Sequence, residues 1–205
     1  MLGDESLTAV FDPAARYGSS NRFRLQNSDD GSTNLEVIKR GDTVELWSNG
    51  SSPFAVVKKS EQDIRINRRQ SDIIVGLGES RRTALFKDRD TIVGYHFNMG
   101  GQKFEWLEHD DRRMRWELGP NSTGFVLVHW AHPGDHPNPF SNEDAEWQTD
   151  DGQEILAMWG TTGNQNSYSP FTFRVCGTGA DEQAVGKKFP VVALMSALQI
   201  REWIR

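Results

Sequence analysis

The chain predicts a mainly β, antiparallel fold wrapped round one hydrophobic C-terminal helix. Three observations carry this. From Leu7 to Arg174 the sequence runs in short stretches rich in Val, Ile, Phe and Trp, often alternating with charged residues and separated by Gly, Asn, Asp and Pro. The tight-turn dipeptides Asp30-Gly31, Asn49-Gly50, Gly100-Gly101 and Asp151-Gly152 fall between such runs and favour hairpins. The chain then ends on Pro190 to Arg205, where Val191, Val192, Ala193, Leu194, Met195, Ala197, Leu198, Ile200, Trp203 and Ile204 place apolar side chains on every side of a helix. A helix of that kind needs full burial.

Taken in order, the strand runs are Leu7–Phe11, Arg22–Gln26, Leu35–Arg40, Thr43–Ser48, Phe54–Lys58, Asp63–Ile66 and Ile73–Leu77. Thr83–Lys87, Ile92–Asn98, Lys103–Glu108, Arg113–Leu118, Gly124–Trp130, Glu154–Trp159 and Pro170–Val175 complete them. No helical stripes intervene to make parallel crossovers, so a sandwich or barrel is expected rather than an α/β sheet. Ala131 to Asp150, with Pro133, Pro137 and Pro139, reads as an irregular loop near 131–150. Pro190 suits the first turn of the core helix at 190–205, where a missing N–H costs nothing. Ser196 is the one polar interruption of its apolar middle, and Arg201, Glu202 and Arg205 place its end in water. At 1.5 Å per residue the segment is roughly 22 Å long, short of the ~20 apolar residues of a membrane span.

Composition bounds the function. A chain of 205 residues, 36% hydrophobic and with seven Trp, buries one sizeable core, so residues 1–205 are read as a single domain. A net charge of −6 argues against general nucleic-acid binding. The single Cys176 excludes an internal disulfide and fits a reducing compartment. The first residues, Met1-Leu2-Gly3-Asp4-Glu5-Ser6, show no signal-peptide pattern, and the expected location is cytoplasmic, with peripheral membrane or nuclear placement open. Asn49-Gly50-Ser51 and Asn121-Ser122-Thr123 match the glycosylation pattern but read as turns in such a protein.

The aromatic hairpin segments Gln102-Lys103-Phe104-Glu105-Trp106, Arg113-Met114-Arg115-Trp116-Glu117-Leu118 and Glu154-Ile155-Leu156-Ala157-Met158-Trp159, followed by the closing apolar helix, form an ordered set. That order resembles the tubby C-terminal-like superfamily, particularly its small fungal and plant LURP-one-related members. The resemblance implies an antiparallel barrel of about twelve strands enclosing the C-terminal helix over nearly the whole chain. Tubby-type relatives bind phosphoinositide headgroups and scramblase-type relatives associate with bilayers, but a shared fold transfers neither activity by itself. No individual phosphoinositide-binding residue of tubby proteins maps onto this sequence.

The strongest charge feature runs from Lys58 to Asp90. Lys58, Lys59, Arg65, Arg68, Arg69, Arg81, Arg82, Lys87 and Arg89 outnumber Glu61, Asp63, Asp72, Glu79, Asp88 and Asp90, a net +3 within an acidic chain. Arg68-Arg69 and Arg81-Arg82 are expected in turns on the same side of their hairpin, where guanidinium groups would converge on an anion. The bland reading is a solvated rim with interspersed carboxylates. His129, His132 and His136, with Asp135, are an alternative zinc set, but they lack a partner pair from a second element and their Pro and Gly neighbours describe a turn.

No nucleophile elbow, zincin helix or phosphate loop occurs, and Gly76-Leu77-Gly78 is too short for a dinucleotide fingerprint. Glu105, Glu117 and Glu154 are expected to face solvent, Cys176 to be a small buried apolar residue, and most Trp to be core. Trp147, inside the acidic stretch Glu143 to Asp151, is expected to be the exposed exception. No cofactor and no catalytic residue are expected. The leading expectation is a non-enzymatic intracellular protein that binds a phosphoinositide or other anionic lipid headgroup, or a protein partner, through the basic stretch. Its rivals are a lipocalin-like barrel that binds or acts on a small molecule in an open lumen, and a protein-interaction scaffold.

Overall fold

The computed structural model describes residues 6–11, 21–27, 35–48, 50–59, 69–76, 82–87, 94–109, 122–130, 147–149, 152–162 and 171–204. Among them are twelve strands: β1 (Ser6–Phe11), β2 (Asn21–Asn27), β3 (Leu35–Arg40), β4 (Thr43–Trp47), β5 (Ala55–Lys59) and β6 (Arg69–Val75). β7 (Arg82–Lys87), β8 (Tyr95–Met99), β9 (Gln102–His109), β10 (Ser122–His129), β11 (Ile155–Thr162) and β12 (Phe171–Val175) follow. A 3-10 helix at Gly177–Ala180, a short helix α1 (Glu182–Val185) and the long helix α2 (Phe189–Ile204) end the chain. The expected runs Asp63–Ile66 and Arg113–Leu118 lie outside the described residues. Asn121-Ser122-Thr123, expected as a turn, instead opens β10 at Ser122.

The fold is mainly β and every strand pair is antiparallel, each strand bonding to its neighbours in sequence. β1 pairs with β2 and, through Ser6, Leu7 and Thr8, with β12, so the strand order returns on itself as in a barrel. The strands follow one another up and down the sheet in chain order. The Gly100-Gly101 turn between β8 and β9 has φ of 63° and 83°, values that residues with a Cβ rarely adopt.

Alternation decides the faces. In β4, Val44 and Leu46 are buried while Thr43, Glu45 and Trp47 point outward; in β7, Thr83 and Leu85 point in. The inward residues meet α2, which is buried continuously from Val192 to Arg201. Its contacts reach many strands: Phe189 packs on Phe104 of β9, Trp203 stacks on Tyr95 of β8, and the Arg201 guanidinium lies over Phe23 of β2 and Phe171 of β12. The helix therefore lies buried against the inward face of these strands. Arg201, expected at a wet helix end, is 4% exposed because the aromatic rims of β2 and β12 close over it. The helix begins at Phe189, one residue before the expected Pro190.

A second, smaller core lies on the opposite face of β10 and β11. Val126, Val128, Ile155, Met158 and Cys176 are buried there with Trp147. Trp147 is not the exposed exception: it is 6% exposed, and the guanidinium of Arg174 lies 5.1 Å from its ring centre. The cause is a local hairpin that folds back on the sheet. Gln148 bridges to Glu154, Ile155 N–H donates to the Trp147 carbonyl, and Gly152, at φ 82°, makes the turn. The turn at Gly152 thus does more than link two strands.

Candidate functional site

The strand register distributes the basic stretch over two ends of the sheet. Arg69 pairs with Lys87 at one end of the β6–β7 hairpin, whereas Arg82 pairs with Ile74 near the other. Five strand positions separate Arg69 from Ile74, roughly 17 Å. Of the residues expected to converge, Arg69 and Arg82 therefore stand apart, because antiparallel strands put residues that begin β6 beside residues that end β7. Arg65, Arg68, Arg81 and Arg89 lie outside the described residues.

Lys59 pairs with Ser71, two positions along β6 from Arg69, so Lys59, Arg69 and Lys87 share one end of three adjacent strands. Lys58 is exposed and stands opposite Asp72 in the register of β5 and β6. Lys87 places its ammonium 5.3 Å from the ring centre of Tyr95, its partner across β7 and β8. Tyr95 in turn stacks on Trp203 at a ring separation of 5.7 Å. The basic end of β5–β7 is thus also the end at which α2 finishes, where Trp203 and Ile204 are half-buried and Lys39 forms an ion pair with Glu202.

The remaining candidates resolve differently. His129 packs edge-on against Phe104 at 5.7 Å, a core-margin position, while His132, His136 and Asp135 lie outside the described residues. Glu105 faces outward and is half-buried, as its alternation requires, and Glu117 is outside the described residues. Glu154 departs from expectation: it is 3% exposed, and its Oε1 accepts from the backbone N–H of Thr178 at 2.8 Å and from the Thr178 hydroxyl at 2.6 Å. The hairpin at 147–155 carries Glu154 under the 3-10 helix, so the carboxylate pins that segment to the sheet. Thr178→Val, which keeps the shape and removes one bond to a charged acceptor, is expected to cost about 1.5–3 kcal/mol in urea unfolding.

Sequence reasoning missed a cleft of about 400 Å³ on the outer face of β2, β3 and β4, lined by Arg22, Arg24, Leu35, Glu36, Trp47, Ser48 and Gly50. Register builds it, since Arg24 pairs with Glu36 and Glu36 with Trp47 in one outward row. Arg22 grips Glu36 by both carboxylate oxygens, with its Nη2 at 2.6 Å from Oε2. The Trp47 indole N–H donates to Glu45 at 3.0 Å, and Glu45 also pairs with Arg40 at 3.5 Å. The only sequence signal was the alternation Arg22-Phe23-Arg24-Leu25, which marks two arginines on one face without saying what stands beside them.

Comparison with protein-family models, with curated proteins and with solved structures finds no match to this chain. No helix among the described residues is long and apolar enough to cross a membrane.

Proposed function

We propose that the protein is a tubby C-terminal-like barrel that acts without catalysis as a docking module for anionic lipid surfaces, phosphoinositide headgroups included. The observation that carries this reading is the cross-strand pair Arg69–Lys87 with Lys59 beside it. Register gathers these basic residues at one end of three adjacent strands, and a cluster of like charge attracts an anionic surface. The half-buried Trp203 and Ile204 at the same end offer the apolar contact that a membrane interface rewards. Binding of this kind is reversible, peripheral and weakened by salt.

Vesicle co-sedimentation tests it, with phosphatidylcholine vesicles that contain or lack phosphatidylinositol bisphosphate. A basic residue near an anionic surface contributes about 1 kcal/mol. The double variant Arg69→Gln/Lys87→Gln is therefore expected to bind roughly 30-fold more weakly. Arg82→Gln, at the far end of the hairpin, is expected to bind as the parent does. Equal losses in both variants, or no binding at low salt, would abandon lipid docking and leave the protein-interaction scaffold as the better account.

A further inference from the structure

We propose that the outer cleft between Arg24 and Trp47 is a binding site for a small planar aromatic anion, a function separate from lipid docking. The cleft lies where β3 begins and β4 ends, at the opposite end of the sheet from Lys59, Arg69 and Lys87. Its volume of about 400 Å³ falls within the range of small-molecule sites.

The walls are held and one group is left open. Glu36 is neutralised by Arg22 through both oxygens, so it neither repels an anion nor engages Arg24. Trp47 is anchored by its indole N–H to Glu45, which fixes the plane of the ring. Among the described residues no ring or cation stacks on the Trp47 indole. Arg24 is exposed and carries no hydrogen bond or ion pair among the described residues. An unengaged guanidinium donates two parallel hydrogen bonds to a carboxylate or phosphate. A fixed indole face in the same cleft stacks a planar ring. A ligand that satisfies both must be aromatic and negatively charged, with the charge on a short arm at the edge of the ring.

The test follows indole N–H resonances of the intact ¹⁵N-labelled protein, the Trp47 signal being the one absent from Trp47→Phe. Adenosine 5′-monophosphate supplies ring and phosphate together, adenosine the ring alone, inorganic phosphate the charge alone, and 2-naphthoate a ring with a carboxylate. Adenosine 5′-monophosphate or 2-naphthoate is expected to move the Trp47 signal saturably, with adenosine and phosphate each at least ten-fold weaker. The better of the two ligands identifies the charged group. Arg24→Ala is expected to lower that affinity at least ten-fold while its circular dichroism stays that of the parent, and Arg82→Ala to leave it unchanged. The proposal fails if neither aromatic anion shifts the signal up to about 10 mM. It also fails if phosphate or adenosine alone binds equally well, or if Arg24→Ala binds undiminished.

Discussion

Gly179→Ala is expected to destabilise the protein by about 4 kcal/mol or more, among the largest effects of any single methyl group added at the described residues. A Cβ at Gly179 would lie 2.0 Å from the carbonyl oxygen of Leu156 and 2.8 Å from its carbonyl carbon. Both belong to the backbone of β11, and that same oxygen already accepts from the Cys176 N–H at 2.9 Å. A side chain can swing aside; a carbonyl bonded within a sheet cannot. The 3-10 helix must therefore lift off the strand, which breaks the Thr178–Glu154 hydrogen bonds and displaces the chain that feeds Phe189 into the interior. Gly101→Ala is the control. Its φ of 83° strains any residue with a Cβ, but nothing lies within 4 Å of the added atom. That substitution is expected to cost about 1–2 kcal/mol. Urea unfolding of the two variants decides the matter, and a Gly179→Ala loss no larger than that of Gly101→Ala would mean that the close approach is not a constraint.

This constraint was invisible in the sequence, and the reason is general to the chain. Periodicity is local, so it announces each strand from its own residues: Thr43 to Trp47 and Arg82 to Lys87 alternate as predicted because each has one face against the helix. The helix was legible for the same reason, since Val192 to Leu198 leaves no polar face for water. What periodicity omits is register and anything packed on the outer face. Trp147 was expected to be exposed because acidic residues surround it, and Glu154 because alternation turns it away from its Trp neighbour, yet a hairpin folded back on β10 and β11 buries both. Two apolar faces on one strand also disguise its alternation: Phe125 to Val128 are all buried, odd members toward the helix and even members toward Trp147.

The candidate sites show the same limit from the side of charge. The excess of Lys and Arg between Lys58 and Asp90 was countable, but which cations meet was not. Antiparallel pairing sends Arg69 to Lys87 and Arg82 to Ile74, and a count along the chain carries no such information. The outer cleft is the clearer case. Arg24, Glu36 and Trp47 come from three strands, and only their register makes them one row.

The second large effect concerns how an all-apolar helix finds one rotation and one depth inside the sheet. Hydrophobic burial is non-directional, so Val192 to Leu198 by themselves accept several settings of comparable burial. Ser196 supplies direction: its hydroxyl accepts from the Trp106 indole N–H at 2.8 Å and donates to the Ala193 carbonyl at 2.7 Å, all of it buried. Trp106→Ala is expected to cost about 3–5 kcal/mol, from lost burial plus the cavity left behind. Ser196→Ala leaves a buried indole N–H without its acceptor and is expected to cost about 1–3 kcal/mol although the hydroxyl it removes is small. In the cycle with Trp106→Phe, the double variant is expected to lose about 1–2 kcal/mol less than the sum of the singles, because the N–H that Ser196→Ala strands is then absent. Additivity within about 0.5 kcal/mol would show that the bond does not couple helix to strand. A full coupling, measured with near-ultraviolet circular dichroism that broadens only when the pair is removed, would show that this one polar contact selects the setting of the helix and with it the position of Trp203 beneath the basic end.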